Sequence, residues 1–275
     1  MDTIRSAILA YLRRFPFDQG KTAVKGLLLQ DAYRDGVVMH TSAAGIAFKL
    51  DLSDHVQREI FLHDCYERNT FRHLKRLVPP SAVILDCGAN IGAYSIPLAK
   101  HAAFGFVHSF EPHPRTMSRL QENIALNQLR NITPVPLGLS DTEETVKLFG
   151  SSATTASAYK HQESGQHVEI RCTTIDSYCE ANSIDQVGFM KVDIEGGEFK
   201  CLKGAQKVIR RSPAMVLQVE IDSNCEHSGV SRESLFNFVT DMGFIGWRPR
   251  GFPLGMERLT QIPADYSDNV IFTRR

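Results

Sequence analysis

From residue 82 onward the chain alternates short apolar runs with stretches of helical spacing, and this alternation constrains the fold more than any other feature. The runs lie at 82–88, 105–112, 132–140, 187–196, 214–221, 243–249 and 268–275. Amphipathic stretches fall between them at 91–102, 115–129, 198–211 and 231–243. Near-continuous apolar strands are buried on both faces, and a helix between successive strands makes them parallel. The expectation is an α/β fold, a mostly parallel seven-stranded sheet with helices on both faces. The last two runs have no helical pattern between them, which predicts an antiparallel pair at the sheet's edge.

A composition break at Val78-Pro79-Pro80-Ser81 separates a small N-terminal α/β cap, 1–78, from a second domain, 79–275. In the cap the pattern predicts a helix over 3–14, a hairpin over 36–52 and one helix over 56–77, with Val56, Ile60, Phe61, Phe71, Leu74 and Leu77 as its apolar positions. The first helix sets Ile4, Ile8, Tyr11 and Leu12 beside Arg5, Arg13 and Arg14 and is expected to pack on its own domain. No run approaches the roughly 20 apolar residues of a membrane span, and no apolar block leads to a small-residue cleavage site. The six cysteines are scattered without metal spacing, so reduced thiols in a cytoplasmic protein are expected. Lys and Arg number 31, as do Asp and Glu, which gives no global field for nucleic acid and disfavours a nucleic-acid acceptor.

The sharpest local signal is Val83-Ile84-Leu85-Asp86-Cys87-Gly88-Ala89-Asn90-Ile91-Gly92, a strand that turns into a helix. Gly88 and Gly92 allow a tight turn and close backbone approach, and the following helix offers free N–H groups to an anion. Glu111 ends the next strand about 20 residues past the turn, where a carboxylate accepts hydrogen bonds from both ribose hydroxyls. Together these features point to a nucleoside-containing cofactor. A dinucleotide turn wants three glycines, and Asn90 stands at the second, which argues against a nicotinamide-dependent oxidoreductase. A non-catalytic cofactor-binding module remains as a third reading.

Further segments narrow the family. They are Met190-Lys191-Val192-Asp193-Ile194-Glu195-Gly196-Gly197-Glu198, then Leu202-Lys203-Gly204-Ala205, with Cys65-Tyr66-Glu67 and Thr173-Thr174-Ile175-Asp176-Ser177 before them. Val219-Glu220-Ile221 and Asn269-Val270-Ile271-Phe272 complete the set. In this order they resemble the FkbM-type methyltransferases, from about residue 59 to the C-terminus. Gly197 stands where that family usually has alanine, and Cys65 where it usually has glycine. The resemblance implies a class I, Rossmann-like methyltransferase fold and S-adenosylmethionine as donor, leaving S-adenosylhomocysteine. It also implies O-methylation of a hydroxyl on a small molecule, saccharide or natural product.

On that pattern Asp86, Gly88, Ala89, Asn90 and Gly92 are assigned to the methionine end of the cofactor, and Glu111 with Pro112 to its ribose. Ser140 and Asp141 follow the third strand, where an adenine-binding loop is expected, and Tyr66 and Glu67 close from the cap. Asp193 contacts the cofactor or takes the acceptor's proton; Glu195, Glu220 and His227 are the other candidates for that base. Glu195 could instead cap the next helix. Glu220 and His227 could instead join Asp193 around a divalent cation, but hard carboxylates at strand ends are common without one and the ten histidines show no tight ligand spacing, so a metal is not favoured. His113 borders the cleft, and the polar segment 150–167 is expected to cover the acceptor site.

Overall fold

The computed structural model describes Tyr11, Arg13 and residues 36–149, 167–251 and 255–274. The helix expected at 3–14 and the loop expected at 150–167 therefore lie almost wholly outside the described residues. The chain runs β1 (Val37–Thr41), β2 (Ala47–Asp51), α1 (His55–His63), α2 (Arg68–Leu77), β3 (Val83–Cys87), α3 (Ser95–His101), β4 (Phe106–Phe110), α4 (Pro114–Leu126) and β5 (Ile132–Val135). It continues β6 (Gly138–Leu139), β7 (Glu144–Phe149), β8 (His167–Thr173), α5 (Ile175–Ala181), β9 (Phe189–Val192), α6 (Glu198–Lys203), α7 (Gln206–Arg211) and β10 (Val216–Ile221). Last come α8 (Asn224–His227), α9 (Arg232–Asp241), β11 (Ile245–Arg250), β12 (Gly255–Leu259) and β13 (Asp268–Thr273).

The central sheet has eight strands in the order β12-β11-β13-β10-β9-β3-β4-β5, one more than the sequence predicts. Strands β10, β9, β3, β4 and β5 are mutually parallel. The antiparallel pair of β11 and β13 exists, but β13 is not at the edge; it inserts antiparallel between β10 and β11. Val270, Ile271 and Phe272 are fully buried, and three adjacent apolar residues need cover on both faces. The edge falls to β12, whose Glu257 and Arg258 are exposed, a composition that suits an unpaired rim.

Two other readings are corrected. The single helix at 56–77 is two, because Asp64 and Glu67 both take left-handed backbone, φ 62° and 45°. Tertiary partners hold that break: Asp64 accepts from Ala43 N at 3.1 Å and meets His40 Nε2 at 2.9 Å, while Glu67 is held by Tyr94 and Asn269. The helix at 198–211 also divides, around Gly204, where a Cβ would lie 2.2 Å from the Ser140 carbonyl oxygen. The run at 132–140 leaves the main sheet after Val135, and β6 joins β8 and β7 in a separate three-stranded sheet.

Two apolar clusters cover the main sheet. On one face Leu85, Cys87, Met190, Val192, Leu217 and Val219 pack against α5, α6, α7 and α9. On the other, Ile84, Phe189 and Val216 pack against α3 and α4 and against Phe48, Leu50, Ile60, Phe71 and Leu74 from the first 78 residues. Two residues further along the same face, one buried polar row crosses four strands. Ser109 stands opposite Asp86, Asp86 opposite Lys191, and Lys191 opposite Gln218. No helix among the described residues is long and apolar enough to cross a membrane.

Candidate functional site

The first turn is shaped by a close approach. Gly88 has φ 88°, and a Cβ there would sit 1.8 Å from the Asp193 carbonyl oxygen. Only glycine lets β3 turn beneath the chain leaving β9. The turn's own N–H groups are engaged within the fold. Gly88 N and Ala89 N donate to Phe110 O at 3.0 and 2.8 Å, and Gly92 N donates to Ala89 O at 2.9 Å. Asn90 N donates to Glu111 Oε2 at 3.1 Å, and His113 N to Glu111 Oε1 at 2.9 Å. The turn therefore presents a clamped carboxylate in place of bare donors. Burial pushes the Glu111 carboxyl up to about 7, against the pull of those two backbone donors.

A pocket runs along the carboxyl ends of β3, β4, β9 and β10. At one end Phe110, Leu139, Val146, Leu148, Ile170 and Cys172 make an apolar wall, most of it supplied by the small sheet. At the other end Tyr66, Tyr94, Lys191, Asp193, Glu195 and Glu220 converge. Between them lie Gly88, Ala89, Asn90, Glu111, Pro112 and His113. Asn90 Oδ1 and His113 Nδ1 are buried and have no hydrogen-bond partner among the described residues. Two unsatisfied polar atoms beside a clamped carboxylate fit a polar ligand with several hydroxyl and amine groups.

The polar end is a connected network. Lys191 Nζ donates to Asp193 Oδ2 at 2.7 Å and lies 5.0 Å from the Tyr94 ring centroid. Burial alone would lower the lysine's affinity for its proton, yet Asp193, Asp86 and Glu67 together raise it. Glu220 stands beside Asp193 at the next strand end, and the Asp193 charge together with burial pushes its carboxyl well above the usual range. Tyr94 donates its hydroxyl to Glu67 and accepts from Gln218 Nε2 at 3.0 Å. Asn269 Nδ2 donates to the other Glu67 oxygen at 2.8 Å. Burial pushes Glu67 up to about 7, with Tyr94 and Lys191 opposing.

Eleven of the residues singled out by sequence line this pocket: Tyr66, Gly88, Ala89, Asn90, Glu111, Pro112, His113, Ser140, Asp193, Glu195 and Glu220. Four others sit behind it. Glu67 lies within the network above, and Asp86 accepts from Ser95 Oγ beneath α3. A Cβ at Gly92 would meet Ile96 and Leu120 at 2.8 and 3.0 Å, which makes it a packing glycine. Asp141 is paired with Lys203 at 2.7 Å on the outside. His227 ends α8, and its side chain lies outside the described residues. Glu195 does not cap α6: the residue preceding that helix is Gly197, and Glu198 accepts from Ile194 N and Gly196 N at 2.9 and 3.2 Å. Sequence reasoning gave no role to Tyr94 or Lys191. The signal for Lys191 was visible, a lysine inside the otherwise apolar strand Phe189–Val192. Among the described residues no group of three His, Cys, Asp or Glu could hold a metal ion.

Comparison with known proteins gives a match to the Methyltransferase FkbM domain over residues 86–245, more than half of the chain. Among curated proteins, Methyltransferase 1 of Beauveria bassiana is 23% identical over 182 residues, 58% of this chain and 70% of that protein. The hexuronic acid methyltransferase AglP of Haloferax volcanii is 24% identical over 175 residues, 64% of this chain and 68% of that protein. A tRNA(Phe) (4-demethylwyosine(37)-C(7)) aminocarboxypropyltransferase of Methanocaldococcus jannaschii is 39% identical over 61 residues, 22% of this chain and 24% of that protein. The argument from charge against a nucleic-acid acceptor thus finds no support among the relatives, one of which is named for a tRNA.

Proposed function

We propose, from the premise that this chain belongs to the FkbM methyltransferase family, that it methylates a hydroxyl oxygen on a small molecule, saccharide or natural product. Its donor is S-adenosylmethionine. In this reading 79–275 is the methyltransferase domain and 1–78 a cap beside the pocket. The observation that carries the reading is Glu111, a buried carboxylate fixed by Asn90 N and His113 N at the middle of the pocket, with orphaned Asn90 Oδ1 and His113 Nδ1 beside it. These residues would hold the ribose and amino-acid parts of the cofactor, and the apolar wall of Leu139, Val146, Leu148 and Ile170 would take the base.

Bound there, the cofactor supplies a methyl group already activated on a sulfonium sulfur. The chain's own task is to hold the acceptor hydroxyl in line and to remove its proton. An alcohol ionises far above pH 7, so a positioned base is needed. Asp193 is the group we assign: it lines the pocket at the polar end, and Lys191 balances its charge at 2.7 Å. The acceptor oxygen gains the methyl group as its proton passes to Asp193, leaving a methyl ether. The hexuronic acid relative supports an acceptor of saccharide type.

Calorimetric titration with S-adenosylhomocysteine tests the donor site. The wild-type protein binds it, and Glu111→Ala weakens binding roughly 10- to 100-fold, the worth of hydrogen bonds to a charged group. Asp193→Asn keeps that affinity but lowers methyl transfer by about 10²- to 10⁴-fold, the usual contribution of a general base. The acceptor panel carries glycosides, polyols and bulk tRNA. Equal binding by Glu111→Ala, or methylation confined to tRNA, would overturn the proposal.

A further inference from the structure

The polar end of the pocket holds two carboxyl groups at neighbouring strand ends, Asp193 and Glu220, each one residue past the paired Val192 and Val219. Two carboxylates so placed repel each other, which favours one proton held between them. Which member holds the proton decides which one can take another. The surroundings of the two differ. Asp193 receives the Lys191 ammonium on Oδ2 at 2.7 Å. Glu220 faces Asp193, Asp222 and Glu198, all acids. Tyr66, with Glu67 behind it, closes the same end.

The ammonium is itself held with little freedom. Lys191 is 3% exposed and stands in register between Asp86 on β3 and Gln218 on β10. The Tyr94 ring lies over it, and Tyr94 is fixed through its hydroxyl by Glu67 and Gln218. A buried lysine flanked on both adjoining strands donates to one carboxylate oxygen, Asp193 Oδ2. Asp193 lies two positions after Lys191, with Val192 between them, so both side chains rise on the same side of the strand's path.

We propose that Lys191 is a positioning residue that makes Asp193 the charged, proton-accepting member of the pair and leaves the proton on Glu220. This deepens the base assignment above and rests on it. Lys191 acts through Asp193 and takes no proton from the acceptor. Glu220 donates its O–H to Asp193, which orients the acceptor-facing oxygen and keeps a second negative charge out of the pocket. Tyr94 and Gln218 act one step further back, by keeping the ammonium in place.

Carbon-13 NMR of the side-chain carboxyls at pH 7 tests this without any acceptor. With Asp and Glu side chains labelled separately, the carboxylic-acid signal of the pair in the wild-type protein comes from the glutamate label and vanishes in Glu220→Gln. In Lys191→Met that signal moves to Asp193 or is split between the two residues, and in Lys191→Arg it returns to Glu220. With an active acceptor in hand, the acidic limb of the rate profile in Lys191→Met moves up by about one pH unit or more, the effect of removing a contacting cation from a carboxylate. An acid signal on Asp193 in the wild type overturns the proposal, as does an unchanged signal in Lys191→Met. If Lys191→Met does not fold, the wild-type assignment alone decides. S-adenosylhomocysteine affinity is read separately. Failure of wild-type binding sinks the methyltransferase site, whereas intact binding with the proton on Asp193 sinks only the role of Lys191.

Discussion

The two faces of the central sheet are built by the same three strands, and they differ in kind. On the face covered by α5, α6, α7 and α9, β3, β9 and β10 present Leu85, Cys87, Met190, Val192, Leu217 and Val219, all apolar. On the opposite face they begin with Ile84, Phe189 and Val216 and then change to Asp86, Lys191 and Gln218. Strand alternation assigns every second residue to one face, so a single run of sequence carries both a core and a polar row. The polar row is imperfectly satisfied. Asp86 Oδ1, Ser109 Oγ and Gln218 Oε1 are buried without a hydrogen-bond partner among the described residues. A buried ion pair such as Lys191–Asp193 is weak evidence of stabilisation, since well-packed apolar side chains in its place are often as stable or more so. The apolar face holds the fold; the polar row is explained by the pocket it underlies.

That contrast predicts where stability and binding separate. Leu217→Ala removes a fully buried side chain from the apolar face and should lower unfolding free energy by about 3 kcal/mol, within the range for leucine truncation in a core. Urea unfolding measures it. S-adenosylhomocysteine affinity should stay within about twofold, because no atom of Leu217 lines the pocket. A tenfold loss of affinity would mean that the two faces are not separable.

How much of this was legible in the sequence follows from how local each cause is. Seven of the eight strands of the main sheet were legible because apolar runs between helical stretches admit few other readings. The break at Asp64 and Glu67 was not, because its partners His40, Tyr94 and Asn269 come from distant parts of the chain. The interior place of β13 could be read from Val270-Ile271-Phe272, but only against the polar 255–259 segment as the competing edge, which the apolar-run criterion passes over. The apolar wall of the pocket had a faint signal. Val146 and Leu148 alternate with Thr145 and Lys147 in a stretch otherwise rich in charge, a half-buried strand by period. The glycine turn and Glu111 were legible as types, while the capture of the turn's N–H groups was not. That capture depends on Phe110 O and on how β3 and β4 stagger.

The second separation is by pH. Burial raises Glu67 and Glu198 from 4.5 to about 7, as it does Glu111. A carboxyl with a raised folded-state value binds more protons folded than unfolded, so its contribution is full below about pH 4.5 and is lost as pH rises to about 7. Unfolding free energy should therefore decline across that window. Glu67→Gln should flatten the decline between pH 5 and 7 by on the order of 2 kcal/mol, less than the full linkage value because those pH values span only part of the titration. Urea titrations at pH 5, 6 and 7 read it. The loss caused by Leu217→Ala should not vary across the same pH values. A pH-dependent Leu217→Ala effect would join the two faces again.

The smallest effect is the most discriminating. Gln218 is fully buried; its Nε2 donates to the Tyr94 hydroxyl at 3.0 Å, while its Oε1 has no partner among the described residues. Gln218→Leu keeps the volume and loses that one hydrogen bond, worth about 1 kcal/mol net. It also removes an unsatisfied carbonyl, which carries a penalty of about 1–3 kcal/mol. The two terms oppose, so urea unfolding should detect a net change from about zero to about 2 kcal/mol in the stabilising direction. Tyr94 still donates to Glu67 in the variant, so its ring stays over Lys191. A loss of 3 kcal/mol or more would mean that the Gln218 carbonyl is satisfied after all, by ordered water reaching the row from the pocket. The polar face would then be a complete hydrogen-bonded network that contributes to the fold, and the division of labour between the two faces would fail at its centre.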